Sequence, residues 1–429
     1  MNQKILSRNA FFCLATAVLY FGILSVQAAD NDYEIGTWAN FCQGAISHTF
    51  DDYAQSGLGQ IVDGQGQAAF NEKDFNMTIF VITNTNPNWG KLQAAFAEGH
   101  EIGSHTVSHN SSTSAFEQSQ KTIQDNVPGE KCVTVAYPNC QQNGASTLSY
   151  YIAGRNCDGN VNSKSPGNWE QISSKMFGTC GGCGNTASSM NDFANSAVSS
   201  NGWAVTCHHG IGSDSHGWAV TNLDAVKSHL EYLDQNRDKI WCETFGNVAR
   251  YIHERDAATV TEKSADESSF TIEITDDLDD EIYNYPLTIR RPFPDGWVED
   301  QMEITQNGEA IEAKVVDNFI QFQAVPDGGD VVISSGIVPV RHGIHTNSIL
   351  PTDVIGFANN RLQISTKAFT GNSITVSIFN LNGKLLANNT ISETEGPVAN
   401  IDLRESLSKS AIIVKATNGT VSYMKRIIQ

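Results

Sequence analysis

The pattern of apolar residues changes near Arg255, and this change divides the chain into regions of different fold class. From about Tyr33 to Arg255, short apolar segments alternate with longer polar or helical segments. MTIFVIT (77–83), KCVTVAYP (131–138) and GWAVTCHH (202–209) predict strands, whereas residues 89–98, 115–126 and 222–236 predict helices. Repeated alternation of strand and helix predicts an α/β layer or barrel with a mainly parallel sheet. In such folds the functional groups collect at the C-terminal ends of the strands.

After Arg255 the chain is β-rich. Alternating apolar and polar residues, separated by Gly, Pro, Asp and Asn, predict a β-sandwich over residues 257–340. We interpret residues 341–354 as a linker and residues 355–429 as a small β-domain, with Asn-Gly turn signals at 382–383 and 418–419. A chain of 429 residues is longer than the span of about 250–300 residues at which single cores stop growing, so several domains are expected.

The first 28 residues have the features of a secretory signal peptide. Lys4 and Arg8 precede an apolar stretch from 10 to 26, and Val-Gln-Ala at 26–28 resembles a cleavage site. A membrane anchor is the alternative, but the apolar stretch is short for a span. Eight of the nine cysteines follow this segment and precede residue 243, and an even number in an exported domain favours disulfides. We therefore expect a secreted or cell-surface protein that keeps no transmembrane anchor.

The formal net charge of -20 argues against nucleic acid or an anionic surface as a partner, because phosphate binding needs clustered Lys and Arg. A neutral polysaccharide suits this charge better.

Two adjacent carboxylates, Asp51 and Asp52, follow a predicted strand over 44–50. Successive side chains on a strand diverge, so one carboxylate can bind a cation while the other acts on a proton. An isolated Asp-Asp pair is more often a solvated turn. About fifty residues later, His105 and His109 are four residues apart, and a helical turn would place both on one face. Two imidazoles and a carboxylate form a three-ligand set for a catalytic divalent metal.

A third element is the end of the strand at 202–209, which carries Cys207, His208 and His209. A histidine at this position can protonate a leaving group. Adjacent residues face opposite ways on a strand, so only one of the two is expected to act. We select His209, which directly precedes Gly210.

Four motifs occur in order: TFDD (49–52), GHEIGSHTVSH (99–109), AYPNC (136–140) and WAVTCHHGI (203–211). Over residues 30–256 the chain therefore resembles the polysaccharide deacetylases, carbohydrate esterase family 4. The resemblance implies a distorted (β/α) barrel that hydrolyses an acetyl group from a sugar with a metal-activated water. Carried over to this sequence, Asp51 is the base, Asp52, His105 and His109 hold the metal, and His209 is the acid. Zinc is the first choice of metal, with cobalt, nickel or manganese also possible.

Two motifs depart from the family pattern. Ala136 stands where the family has an Arg that orients and tunes the base, and Asn139 stands at the aromatic position whose backbone N–H contributes to the oxyanion hole. Tyr137 is a further candidate for substrate contact. Trp169 lacks the Asp that normally precedes it, so the partner of the acid His stays unassigned. We expect Trp169 either to line the sugar groove or to pack in the core.

The motifs indicate removal of acetyl groups but leave the sugar open: O-acetylated xylan, or an N-acetylated glycan such as chitin or peptidoglycan. A catalytically inactive carbohydrate-binding protein on the same barrel is the alternative, motivated by the missing Arg and Asp. A different metal-dependent hydrolase on this barrel is a third possibility. The end of the chain, including SIFNLNGKLL (377–386), resembles C-terminal sorting domains of exported bacterial enzymes, which implies a secretion system or surface attachment.

Overall fold

The computed structural model describes residues 32–54, 60–110, 112–142, 146–215, 218–266, 268–295 and 297–335, and the segments 355–358, 361–369, 373–379, 385–391, 398–402, 412–418 and 422–427. The predicted signal peptide and linker lie outside these residues. The chain forms two compact units, Met1–Pro339 and Val340–Gln429.

The first unit contains a parallel sheet. In chain order, the first eleven strands of this unit, β1 to β11, are Glu34–Ile35, Gly44–Tyr53, Thr78–Val81, Glu101–Ser104, Thr134–Ala136, Ala153–Arg155, Lys175–Met176, Trp203–His208, Gly210–Ile211, Val220–Thr221 and Ile240–Cys242. Seven of them pair in the order β6-β5-β4-β3-β2-β8-β7, and β11 pairs with the start of β2. All of these pairs are parallel. The prediction of a distorted (β/α) barrel is confirmed.

Helices cover this sheet. Helices α1 to α6 are Gln65–Glu72, Trp89–Ala97, Thr113–Asn126, Ala187–Ser200, Leu223–Asp234 and Phe245–Ala257. Short 3₁₀ helices are Ala39–Phe41, Thr83–Thr85, Pro138–Cys140, Thr147–Ser149 and Glu299–Gln301. The side chains of Asn88, Ser112 and Asn222 cap α2, α3 and α5 by accepting backbone N–H bonds, which explains where these helices begin. The three predicted helices and three predicted strands are all found.

Strand β2 is buried on both faces. Ile46 and Phe50 belong to one apolar core, which also contains Phe70 of α1, whereas Ala45 belongs to a second core, which contains Phe245 of α6. A parallel strand that is covered on both faces is held firmly along its length. The residues at its C-terminal end are therefore presented by one of the most constrained elements of the unit.

Residues after α6 form two antiparallel sheets. Strands β12 to β19 are Thr259–Ala265, Ser269–Thr275, Leu287–Pro292, Glu303–Gln306, Glu309–Ala310, Ala313–Val316, Phe319–Ala324 and Val331–Ser334. The sheet orders are β12-β13-β19-β15-β16 and β1-β14-β18-β17. Strand β1, from before the barrel, thus completes the second sheet, and Leu287 and Ile320 share the core that contains Phe245. The β-sandwich packs directly against the barrel, so cutting the chain after residue 256 would expose part of a common core.

The second unit contains strands β20 to β26, which are Ile355–Ala358, Arg361–Ser365, Ile374–Phe379, Leu385–Ile391, Val398–Asp402, Ile412–Thr417 and Ser422–Ile427, and a 3₁₀ helix, Thr366–Ala368. They form two antiparallel sheets, β20-β21-β24 and β23-β22-β25-β26. Buried residues such as Leu362, Ile378 and Val414 form their core. The hairpins predicted from the two Asn-Gly signals are found as the pairs β22–β23 and β25–β26.

Candidate active site

Asp51 and Asp52 lie at the C-terminal end of β2, near the middle of the parallel sheet. Adjacent side chains of a regular strand point to opposite faces, but Asp52 has a left-handed backbone conformation with a φ of 63°. The register between β2 and β3 also shifts between Phe50 and Tyr53. Both carboxylates consequently line one cavity of about 430 Å³ at this edge of the sheet.

His105 and His109 reach the same cavity from the turn that follows β4. Their Nε2 atoms lie 3.1 and 3.3 Å from Oδ1 of Asp52. The predicted helical turn is wrong, because Thr106 and His109 have φ values of 66° and 55° and the next helix begins only at Thr113. A turn with two left-handed residues brings the two imidazoles together instead, with ring centroids 5.0 Å apart.

The hydrogen bond of His105 shows whether these three residues fit a metal ion. Its Nδ1 lies 2.8 Å from the carbonyl oxygen of Ala136. A carbonyl oxygen only accepts, so Nδ1 carries the proton and Nε2 presents a lone pair to the Asp52 carboxylate. Two acceptors that face each other repel unless a cation lies between them. Two imidazoles and one carboxylate, with one imidazole oriented by a carbonyl, match a catalytic zinc site.

A proton competes with a metal for this place. Burial opposes protonation of His105, but the Asp51 and Asp52 carboxylates raise its pKa above the ordinary value. Metal binding at these residues therefore competes with protonation of His105 and weakens at low pH.

Asp51 is buried, and its two oxygens have different surroundings. Oδ2 accepts a hydrogen bond from Nη2 of Arg155, and Sγ of Cys207 lies 3.6 Å from the same oxygen. Oδ1 has no hydrogen-bond partner among the residues that the structure describes. Burial on its own raises the pKa of the Asp51 carboxyl, but Arg155, His105 and His209 lower it below the ordinary value. Asp51 is therefore ionised at neutral pH.

Arg155 brings a cation to Asp51 although Ala136 occupies the family's Arg position. It is the last residue of β6, and the strand register pairs it with Ala136 on β5. Its side chain is 1% exposed, its Nη1 donates to Oγ of Ser174 at 2.8 Å, and its guanidinium lies 5.5 Å from the ring centroid of Phe80. These contacts hold the guanidinium against Asp51.

His209 lines the same cavity as Asp52, His105 and His109. Its Nε2 is 4.0 Å from Oδ2 of Asp52, and the ring of Trp218 stands edge-on to its imidazole at 4.5 Å. Burial lowers the pKa of His209 to about 4, although Asp51 and Asp52 act in the opposite direction. His208 points to the other face of β8, where its ring stacks on Phe50 at 4.9 Å. Only His209 of the pair lines the cavity, as the strand alternation predicts.

Tyr137 and Asn139 both line the cavity. The Tyr137 hydroxyl is turned away from it, since it lies 2.6 Å from Oγ1 of Thr147 and donates to the carbonyl of Glu170 at 2.8 Å. Asn139 has a left-handed conformation with a φ of 55°. A disulfide from the next residue, Cys140, to Cys157 ties the Asn139 turn to the segment after β6.

Trp169 is not brought to this site. Its ring stacks on His253 at 3.9 Å, and it packs against the core that the barrel shares with the sandwich. Among the described residues that line the cavity, the only carboxylates are Asp51 and Asp52, so the family's acidic partner for His209 is not found there.

Sequence reasoning missed five residues that line the cavity or contact Asp51: Cys140, Arg155, Met176, Cys207 and Trp218. Cys207 lies within the motif WAVTCHHGI (203–211), but only His208 and His209 of this motif were considered as functional residues. Trp218 is 46% exposed. Its position as a large aromatic residue in the loop after His209 is the sequence signal that could have identified it.

The cysteines form two disulfides among the described residues, Cys140–Cys157 and Cys180–Cys183. The expectation of disulfides is confirmed. Four other cysteines are free thiols: Cys42, Cys132, Cys207 and Cys242.

Two family models match the sequence. Residues 39–147 match polysaccharide deacetylase, and residues 358–429 match the secretion system C-terminal sorting domain. Among characterised proteins, a gellan lyase from Bacillus sp is 27% identical over 383 residues, which are 82% of this chain. The chain spans only 15% of the length of that relative.

Solved structures that match part of the chain include the Xyl-CE4 domain of a multidomain xylanase from the hindgut metagenome of Trinervitermes trinervoides (14% identity, TM-score 0.33, 48% of this chain and 89% of that chain). Another is a family 4 acetyl xylan esterase from Clostridium thermocellum in complex with a cobalt ion (15% identity, TM-score 0.32, 48% of this chain and 89% of that chain). A third is a peptidoglycan deacetylase from Bacillus subtilis (15% identity, TM-score 0.30, 50% of this chain and 93% of that chain).

Among the described residues, no helix has both the length and the apolar character to cross a membrane. The two resemblances predicted from the motifs are confirmed by the family matches. Residues 39–147 are thus similar to a polysaccharide deacetylase domain, the type of domain found in hydrolases, and residues 358–429 are similar to a secretion system C-terminal sorting domain, which favours export or attachment at the cell surface.

Proposed function

We propose that this protein removes acetyl groups from an acetylated polysaccharide by metal-dependent hydrolysis, with Asp51 as general base and His209 as general acid. The observation that carries the proposal is the pairing of a three-ligand set, Asp52, His105 and His109, with a buried carboxylate in one cavity. That carboxylate, Asp51, keeps one oxygen without a partner among the described residues.

Asp52, His105 and His109 would hold a divalent metal, with zinc as first choice and cobalt, nickel or manganese as alternatives. Such a metal polarises a carbonyl oxygen and lowers the pKa of a bound water. The remaining chemistry belongs to the protein's own side chains.

Asp51 accepts the proton of the attacking water at Oδ1. Its ionised state supports this role, because a base must be deprotonated when the substrate arrives. Arg155 acts as a positioning residue: it holds Oδ2, and so fixes the direction in which Oδ1 points.

His209 donates a proton from Nε2 to the leaving oxygen or nitrogen. Burial keeps the resting imidazole neutral at pH 7. We infer that the imidazole takes up a proton from solvent as negative charge develops on the reacting carbonyl, because that charge and the Asp51 and Asp52 carboxylates raise the proton affinity of His209, and that it then passes this proton to the leaving group. The backbone N–H of Asn139 is the proposed oxyanion donor, and the Tyr137 ring forms part of the wall.

Trp218, and not Trp169, provides the aromatic surface for the sugar, because only Trp218 of the two lines the cavity. This ring is 46% exposed at the cavity and adjoins His209. A flat aromatic ring can stack on the apolar face of a pyranose. The proposed substrates are O-acetylated xylan and N-acetylated glycans such as chitin or peptidoglycan, reached after export.

The test is acetate release by the full-length, zinc-reconstituted protein from acetylxylan, chitooligosaccharides and peptidoglycan. The full chain is needed because the sandwich shares a core with the barrel. We expect release from at least one polymer and its loss in Asp51→Asn, with metal content unchanged. Binding of the polymers without acetate release, unaffected by Asp51→Asn, would instead identify an inactive carbohydrate-binding protein.

A further inference from the structure

A second set of metal-ligating side chains lies in the same cavity. Asp51, Cys207 and His209 each offer one ligand atom, and these atoms all lie within 4.8 Å of one another. All three residues line the cavity. The set shares no residue with Asp52, His105 and His109, although Nε2 of His209 is 4.0 Å from Oδ2 of Asp52.

We propose that Asp51, Cys207 and His209 bind a second, thiophilic divalent cation, such as Zn²⁺ or Cd²⁺, when the metal is in excess, and that this binding inhibits the enzyme. The inhibition rests on the proposed function, since the second cation occupies the base and the acid at once. The binding itself does not depend on that function.

The ligand types determine which cations enter. A thiolate is a soft ligand that favours zinc and cadmium, whereas manganese and magnesium favour oxygen ligands. Binding forms a sulfur–metal bond, breaks the S–H bond of Cys207 and releases its proton to solvent. Cys207 is not committed to a disulfide, since the disulfides of the described residues are Cys140–Cys157 and Cys180–Cys183, and its thiol lies 3.6 Å from Oδ2 of Asp51.

The charges around this second set predict that it fills after the first. Asp51 and the deprotonated Cys207 carry two negative charges, but the Arg155 guanidinium beside Asp51 opposes a further cation. Oδ2 of Asp51 is taken by Arg155 and the thiol, which leaves Oδ1 as the oxygen ligand. A cation held by Asp52, His105 and His109 would oppose a second one as well, because Oδ2 of Asp52 is only 4.0 Å from Nε2 of His209. The second set is therefore the weaker one.

Two measurements on the full-length metal-free protein test the proposal. The first is a Cd²⁺ titration followed by the ultraviolet thiolate-to-cadmium charge-transfer absorbance and by elemental analysis after gel filtration. The second is acetate release at one equivalent of Zn²⁺ and in large excess, expressed as a ratio within each variant. We expect wild type to bind a second Cd²⁺ with a charge-transfer band and to lose about tenfold in rate in excess Zn²⁺, which corresponds to about 1.4 kcal/mol.

Cys207→Ser is the test variant, because serine keeps the size but not the soft ligand. It is expected to lose the band and the second Cd²⁺, and its rate ratio should stay near one. Cys132→Ser is the matched control, since Cys132 is a buried free thiol outside the cavity. It should behave as wild type. Excess Mn²⁺ should not inhibit either protein.

The proposal is overturned if wild type binds one Cd²⁺ without the band, or if Cys207→Ser keeps the second Cd²⁺ and the same inhibition as Cys132→Ser. Cys207→Ala replaces the serine variant if the latter fails to fold, as judged by its melting curve. If no acetylated polymer is hydrolysed, the proposed function fails, but the Cd²⁺ stoichiometry and absorbance still decide the second site.

Discussion

Replacing Arg155 by Gln should damage both stability and catalysis, in different and separable ways. The side chains of Arg155 and Asp51 are 1% and 6% exposed, so they form a buried ion pair. Removing one partner of such a pair typically costs about 3–5 kcal/mol, because the other charge stays buried without compensation. Arg155 is also the largest influence that lowers the pKa of Asp51 against the effect of burial.

The pKa of Asp51 should therefore rise in Arg155→Gln, and the acid limb of the pH profile of kcat/KM should move to higher pH. A base that is misoriented as well should lower kcat by about 10²-fold even on the plateau. Arg155→Lys keeps the charge without the planar fork, so it should retain the position of the acid limb better than Gln does. The assays are urea unfolding and acetate release between about pH 4 and 9, roughly the range in which carboxyl and imidazole groups titrate.

Arg291→Gln provides the matched control. Arg291 is also buried, at 7% exposure, and its guanidinium lies 3.5 Å from Glu262 and donates to the Tyr33 hydroxyl in the sandwich. It should lose stability without a shift of the acid limb. If both variants lose activity equally and leave the acid limb in place, Arg155 has only a structural role, and the positioning argument is refuted.

Three further outcomes are expected. Removing divalent metal with a chelator should abolish acetate release, and added Zn²⁺ should restore it. Trp218→Ala should raise KM for a polymer but not for a small aryl acetate, because only the polymer reaches that ring; equal effects would contradict the stacking role. Below pH 6.5 the unfolding free energy should fall by up to about 1.4 kcal/mol per pH unit for each of His48, His208 and His229, because burial lowers their pKa values in the folded state alone, that of His48 to about 3. Urea unfolding at two pH values measures this slope, and a flat profile would contradict it.

The elements of the barrel could be predicted because its strands and helices have strong local signals. Residues 77–83 and 202–209 are apolar runs with turn signals around them, and they became β3 and β8. Helix α5 begins after Asn222, whose side chain caps it. The closing of the sandwich by β1 was not predictable in this way. Strand β1 has two residues, and its partner, β14, is more than 250 positions away.

The five residues carried over from the motifs all reach one cavity, but the conformation that brings two of them together was not predictable from spacing. His105 and His109 are joined by a turn in which Thr106 and His109 are left-handed. Non-glycine residues rarely adopt this conformation, so local propensity favours a regular turn. The left-handed conformations that bring His105 and His109 together are not predicted by the local sequence, which is usual at sites where function outweighs local propensity.

The relocated cation follows from the geometry of a parallel sheet. Ala136 and Arg155 are neighbours in register on β5 and β6, and adjacent strands lie about 4.8 Å apart. An arginine side chain is longer than this distance. The guanidinium of Arg155 on β6 can therefore reach the same Asp51 carboxylate as an arginine at position 136 on β5 would. Asp51 is buried and ionised, and such a charge requires a partner wherever the chain can provide one. Loss of the Arg from the motif therefore does not imply loss of the cation from the site. Of the two absences that favoured an inactive barrel, that of the Arg is offset by Arg155, whereas the acidic partner of His209 is still not found among the described residues that line the cavity.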